Sequence, residues 1–492
     1  MKVKQITVND SERLLRLQEC LKQSGNRLGF VTSIDGKQLA TLILKTSSGE
    51  AELWLTPMES RRYHSLTPHI PQAHWQERTL WDMFNLIPEG HPRLKHNLLH
   101  ESYKESFFPL LPDALENTES ANRTYSSMKV SGSGIYEIPV GPIHAGIIEP
   151  GHFHFSCLGE IVYNLEIRLG YLHRGIEKRM TETPWKKLRF VAEAAASDSA
   201  VAYSLANVSA LESVSAVAVP SRALYLRSLA LEIERVAMHI SDLGGLAGDV
   251  GYLGVASALS RLRGVALGMG ELLSGSRLMR GFLCVGGVLY DPDNRLAEIQ
   301  KSAKDLQDKL AAPLRSMLSN QVAIDRFTAV GRVSRRLAED FGLTGPAGRA
   351  SELVYDARQF FAHGAYPQVK PYIAAQSEGD ILSRTKVRMG EIDSSLRLIQ
   401  KFIDELPAGK VFEEPPEQLE KNSVGVAVVE AHRGELIHLV FTDDNGAIKR
   451  YAIKDPSVNN WTALAIAVRN NLLADFPLCN KSFSLSYGGH DL

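Results

Sequence analysis

The chain has 492 residues, 44% of them hydrophobic and 23% charged, the balance of a globular protein long enough for two or three domains. Its 55 basic and 56 acidic residues leave a formal net charge of −1, so no field gathers nucleic acid or an anionic membrane surface. The four cysteines, Cys20, Cys157, Cys284 and Cys479, are far apart and form no CxxC pair, which argues against a disulfide framework and against an iron–sulfur cluster held by this chain.

Asp10–Gln23 places Leu14, Leu15, Leu17 and Leu21 at helical spacing, and Phe30–Ser33, Leu39–Lys45 and Ala51–Leu55 read as short strands with turns at Asp35-Gly36 and Ser48-Gly49. These form a small α+β unit. From Pro112 to Gly134 the chain turns polar and rich in glycine and serine, as linkers are; the expected division is a domain at 1–120, a linker at 121–134 and a second domain at 135–492. The second domain is predicted to be mainly helical. Pro220 opens a helix carrying Leu226, Leu229, Ile233, Val236 and Ile240, with Gly244-Gly245 as its expected end. Further helices are predicted over Val255–Ser274, Leu296–Met317 and Ile381–Leu406, and strands over Gly425–Glu430 and His438–Thr442. The first residues are charged throughout, and no apolar run approaches the ~18–20 residues that span a bilayer. The expected location is therefore cytoplasmic, with membrane attachment through partners. GxGxxG, GxxxxGK[ST], HExxH and GxSxG are absent, so no directly bound nucleotide is expected.

Two sets of motifs carry a family resemblance. Glu77-Arg78-Thr79-Leu80-Trp81-Asp82-Met83-Phe84, followed by Gly90-His91-Pro92-Arg93-Leu94, resembles the signature of the complex I 30-kDa family. Gly141-Pro142-Ile143-His144, Glu149-Pro150-Gly151-His152-Phe153 and the run from Arg168 to Lys178 resemble the large subunit of energy-converting nickel–iron hydrogenases and the complex I 49-kDa family. Glu232–Arg235, Gly286–Val288, Ser383–Arg388 and Glu430–Gly434 continue the match. The whole is similar to the fused large subunit of formate hydrogenlyase-type complexes. The resemblance implies an α+β fold: a 30-kDa-like domain, then a mainly helical hydrogenase large-subunit-like domain. It also implies, as partners, an iron–sulfur small subunit of the B type found in complex I, together with antiporter-like and other membrane subunits. The place it implies is peripheral, on the cytoplasmic side of the membrane.

The sequence departs from this family where a nickel–iron centre would be held. Thiolates suit such soft metals, but Ala196, Ser199, Ser486 and Gly489 stand where the resemblance puts the four cysteines. No metal or cofactor is expected on the chain itself; iron–sulfur clusters are expected in the small subunit, with a quinone as the one small-molecule candidate. Tyr203 sits in a segment resembling the quinone-headgroup region of the 49-kDa family, where its hydroxyl could donate to a carbonyl and deliver a proton; a core tyrosine with a satisfied hydroxyl is the equal alternative. His152 and Ser199 complete the candidate quinone-like site, and Tyr203, Arg433 and His490 are the candidate catalytic residues. Tyr203 follows Ser199 by four residues, so a helix puts both on one face. Two function classes remain: electron transfer to a quinone-like acceptor coupled to ion translocation, or a catalytically inactive structural or coupling role.

Overall fold

The computed structural model describes residues 3–114, 125–145, 148–361 and 363–492; the first residues of the expected linker, 121–124, lie outside them. In the N-terminal unit, β1 (Val3–Thr7), α1 (Asp10–Lys22), β2 (Asn26–Ser33), β3 (Gln38–Lys45) and β4 (Glu50–Pro57) build a four-stranded sheet in the order β1-β4-β3-β2, with β1 parallel to β4 and the other pairs antiparallel. Helix α2 (His74–Phe84) ends at Asn85, whose left-handed backbone caps it. The charges of the Glu77–Asp82 motif are buried here as structural ties. Glu77 accepts from the Leu66 and Thr67 amides at 2.9 and 3.1 Å, Asp82 accepts from the Asn97 and Leu98 amides at 2.7 Å each, and Arg78 donates to the Lys95 and His96 carbonyls. Buried carboxylates and guanidinium are tolerable because each is hydrogen-bonded.

The second unit opens with an antiparallel sheet of β5 (Ile135–Val140), β6 (His152–Leu158) and β7 (Ile161–Arg168), which the sequence reading did not anticipate, although His152-Phe153-His154-Phe155 alternates polar and apolar residues as a half-buried strand does. Helices α3 (Leu188–Ala195) and α4 (Ala200–Glu212) follow, and then α5 (Ser221–Asp249), α6 (Leu253–Ser274), α7 (Leu296–Ser319) and, later in the chain, α8 (Ile381–Asp404) pack as a bundle. Helix α5 runs through Gly244-Gly245 rather than ending there. A Cβ at Gly244 would lie in ordinary contact, 3.5 Å from the Cβ of Leu259 on α6, and one at Gly245 would meet only Lys481, at 4.0 Å, so the helix carries the two glycines at a propensity cost of about 1 kcal/mol each. The last sheet has three antiparallel strands, β8 (Val424–Ala431), β9 (Gly434–Thr442) and the unanticipated β10 (Ile448–Lys454), with α4 packed on β8 and β9. Helices α9 (Ser457–Ala467), α10 (Phe476–Phe483) and the single turn α11 (Tyr487–His490) close the chain. No helix among the described residues is long and apolar enough to cross a membrane.

The two units share a hydrophobic core. Phe30, Leu42, Leu44 and Leu53 of the first sheet pack in one cluster with Val426, Val428, Ile437 and Leu439 of the last. Polar contacts frame this seam: Arg450 Nε donates to the Ser33 carbonyl at 3.1 Å, Trp75 Nε1 to Thr462 Oγ1 at 2.9 Å, and Lys449 pairs with Asp35 at 3.0 Å.

Candidate functional site

The two segments carrying Ala196/Ser199 and Ser486/Gly489 come together around one buried carboxylate, Asp455. Ser199 precedes the first turn of α4, and its carbonyl accepts from the Tyr203 amide at 3.0 Å, which sets Tyr203 one turn further on. The Tyr203 hydroxyl donates to Asp455 Oδ2 at 2.6 Å, and Asp455 Oδ1 accepts from the Ser457 amide at 2.7 Å. From the other side, the Ser486 amide donates to Ser457 Oγ at 2.9 Å, and Ser486 Oγ caps α11 by accepting from the Gly489 amide at 2.9 Å. Gly489 is pressed against the same carboxylate: a Cβ there would lie 2.5 Å from Asp455 Oδ2 and 2.9 Å from Ser486 Oγ. Burial, then the charge of Asp455, raises the Tyr203 hydroxyl well above its ordinary value, so it is held as a proton donor.

Arg433, in the turn between β8 and β9, ties the two segments together. It forks onto Asp198 at 2.8 and 2.6 Å, donates to Ser199 Oγ at 3.2 Å, and its Nε bonds the Ser484 carbonyl. Burial opposes the charge on Asp198, but Arg433 outweighs it and holds the carboxyl below its usual range, although the Asp198 side chain reaches solvent. Glu234 of α5 accepts from the Val201 and Ala202 amides at 2.7 and 3.1 Å, at the N-terminus of α4, yet burial pushes it up to about 8.

Of the residues expected at the site, Tyr203, Ser199 and Arg433 are brought together with Ser486 and Gly489. His490 points elsewhere. Its ring packs edge-on against Trp75 at 5.0 Å, its Nδ1 contacts Asp491 at 3.0 Å, and it lines a cavity of about 50 Å³ between the two units, with Gln76 and Arg450 on the wall. His152 does not join the site. On β6 the alternation that buries Phe153 and Phe155 turns His152 and His154 to the other face, and the described contacts of His152 are with the Gly141 carbonyl and the His154 ring. Sequence reasoning missed Asp455, the hub. Its signal was the Asp455-Pro456-Ser457 corner, where an aspartate that bonds its own backbone two residues on is an expected turn residue.

The comparisons with known proteins agree with this architecture. Residues 7–119 match the model of the respiratory-chain NADH dehydrogenase 30 Kd subunit, and residues 249–426 that of the 49 Kd subunit. The chain is 27% identical over 471 residues to formate hydrogenlyase subunit 5 of Escherichia coli K12, covering 93% of this chain and 82% of that protein. It is 31% identical over 352 residues to a carbon monoxide-induced hydrogenase of Rhodospirillum rubrum, covering 70% of this chain and 96% of the relative. A further relative is the C/D subunit of NADH-quinone oxidoreductase from Sulfurihydrogenibium, 28% identical over 420 residues, 78% of this chain and 71% of that one. The chain therefore belongs to the family of complex I 49-kDa-type and hydrogenase large subunits, with a 30-kDa-type domain fused ahead of it.

Proposed function

We propose that this chain is a coupling component of a hydrogenase-related, complex I-like membrane complex and that it works without a nickel–iron centre of its own. The observation that carries the reading is the position of Asp455. Its carboxylate fills the space into which a side chain at position 489 would project, and positions 196, 199 and 486 offer only a methyl group and two hydroxyls. Hydroxyl and carboxylate are hard donors, and nickel–iron chemistry calls for soft thiolates. The residues present therefore do not fit that group. In its place stands a closed polar network, Tyr203–Asp455–Ser457–Ser486 on one side and Arg433–Asp198–Ser199 on the other.

In this reading the electrons belong to an iron–sulfur small subunit, and antiporter-like membrane subunits carry the ion. The present chain joins them on the cytoplasmic face, its paired charges changing balance as its neighbours change state. One observation favours a second reading, in which the chain itself serves a quinone-like acceptor: the Tyr203 hydroxyl donates to Asp455 where the two motif segments meet. The test is purification of the intact complex, followed by nickel and iron assay and by quinone reduction with Tyr203→Phe. The coupling reading expects no stoichiometric nickel and unchanged quinone turnover in the variant. Nickel near one atom per chain sinks both readings; loss of turnover in a folded Tyr203→Phe complex selects the second.

A further inference from the structure

Outside the candidate site, a second cluster of charges is sealed between α5, α8, β8 and the segment 345–358. It contains three guanidiniums, Arg235, Arg349 and Arg358, and four carboxyls, Glu232, Asp356, Glu391 and Glu430, each no more than 2% exposed. Arg358 forks onto Asp356 at 2.9 and 2.6 Å and reaches Glu232 at 2.9 Å. Glu232 also accepts from Ser395 at 2.5 Å and from the Tyr366 hydroxyl, and lies 3.3 Å from Arg235. Arg349 bonds Glu391 at 2.9 Å and Glu430 at 2.8 Å, and Glu391 is also met by His239 Nε2 at 2.8 Å.

Three fixed cations cannot neutralise four carboxylates, and a surplus charge in a sealed interior is strongly unfavourable. The carboxyl left short is identifiable from its partners. Glu232, Asp356 and Glu391 each face at least two cationic groups, whereas Glu430 has a share of Arg349 on one oxygen and the Ala357 amide, at 2.9 Å, on the other. The groups facing Glu430 from the surrounding elements are Arg349, Asp356 and Tyr355 from the 345–358 segment and Arg235 from α5. We propose that this cluster is a one-proton store, holding a single exchangeable proton on the Glu430 carboxyl. Burial first, and the neighbouring Asp356 charge second, push Glu430 up to about 7, in keeping with that assignment. Loading takes one proton from solvent and forms one O–H bond; no electron moves.

The store lies beside the candidate site. Glu430 lies on β8 three residues before Arg433. On a second side, Arg349 bonds Glu391 and Glu391 meets His239, whose Nδ1 stands 4.0 Å from Asp242 Oδ2, beyond hydrogen-bond reach; Asp242 accepts from Ser484 Oγ at 2.8 Å, and the Ser484 carbonyl takes Arg433 Nε. Emptying the store adds a negative charge to the strand that leads directly into the Arg433 turn, and that shared strand is the structural link between proton occupancy and the site. This inference does not depend on which reading of that site is right.

Infrared difference spectroscopy of the purified full chain between about pH 5 and about pH 9 tests the proposal by following the C=O stretch of protonated carboxyls across the range in which Glu430 empties. The expected result is a titrating band lost in Glu430→Gln, while those of Glu234 and Glu193, the other described carboxyls that burial raises, persist there and are lost in Glu234→Gln and Glu193→Gln. An unchanged spectrum in Glu430→Gln overturns the assignment. So does a Glu430 band that is missing in the parent and appears only in His239→Gln, because the imidazole would then have held the proton. Should Glu430→Gln fail to fold, Glu430→Asp keeps a carboxyl on a shorter stem; its band must shift, and an unshifted band overturns the proposal equally.

Discussion

Replacing Gly489 with alanine asks whether Asp455 truly fills the space between the two motif segments. The added methyl carbon would start 2.5 Å from Asp455 Oδ2, 2.7 Å from its Cγ and 2.9 Å from Ser486 Oγ, well inside van der Waals contact. Asp455 is poorly placed to yield, since the Ser457 amide holds one oxygen and the Tyr203 hydroxyl the other. Overpacking of this kind costs about 1–3 kcal/mol. Pushing Asp455 off Tyr203 adds the loss of a hydrogen bond to a charged acceptor, about 1.5–3 kcal/mol. In a Tyr203→Phe background that bond is already gone, so the alanine should cost only the overpacking. The double-mutant cycle should therefore show a coupling of about 1.5–3 kcal/mol. Urea unfolding followed by tryptophan fluorescence is a suitable assay, with Trp461 packed on Tyr487 at 4.9 Å beside the site and midpoints compared at constant slope. Effects that add to within about 0.5 kcal/mol, or a Gly489→Ala protein as stable as its parent, would refute the reasoning.

Other outcomes follow from the same contacts. Arg349→Met strips Glu391, Glu430 and Asp356 of a shared cation; it should destabilise by about 3–5 kcal/mol, and a urea midpoint unchanged from the parent would count against the cluster as drawn. Stability should peak near pH 6.5. Below that, the unfolded chain takes up protons that burial denies to His74, His363 and His438, held at about 2, 4 and 3 in the folded state. Above it, Glu234 and Glu430, raised by burial to about 8 and 7, progressively lose a stabilising contribution that is complete only below the unfolded value of 4.5, at up to ~1.4 kcal/mol per pH unit each. Urea midpoints climbing steadily from pH 6.5 to 8 would contradict this. Thr462→Val keeps the side-chain shape but removes the acceptor of the 2.9 Å bond from Trp75 across the seam, leaving the indole N–H unpaired for an expected loss of about 1–3 kcal/mol; protease sensitivity at the seam, compared with the parent, reports it.

The parts of the fold legible in the sequence were those whose pattern is local. The leucine spacing of α1, the Asp35-Gly36 turn and the long helices α6, α7 and α8 all lie within a few residues of their predicted bounds, because periodicity and turn chemistry act over short stretches. Gly244-Gly245 misled, since glycine reads as a stop signal, whereas the packing of α5 against α6 carries the helix through to Asp249. At the site, Ser199, Tyr203 and Arg433 could be named from motifs; the Asp455-Pro456-Ser457 corner marks a turn, but the Tyr203 partner lies 252 residues away in the chain, and nothing local pairs the two. His490 was placed correctly in sequence and wrongly in space, because one residue of separation from Gly489 on a helical turn is enough to send the side chain into the gap between the units.

The sheet-on-sheet seam has a consequence for assembly. Two separate chains meeting over such a surface would come apart on dilution and would depend on matched expression. Here the backbone itself is the tether, so each half meets the other at an effective concentration on the order of millimolar whatever the amount of protein made. The cluster of Phe30, Leu42, Val428 and Leu439 then sets only orientation, and every copy of the larger unit carries one copy of the smaller already seated.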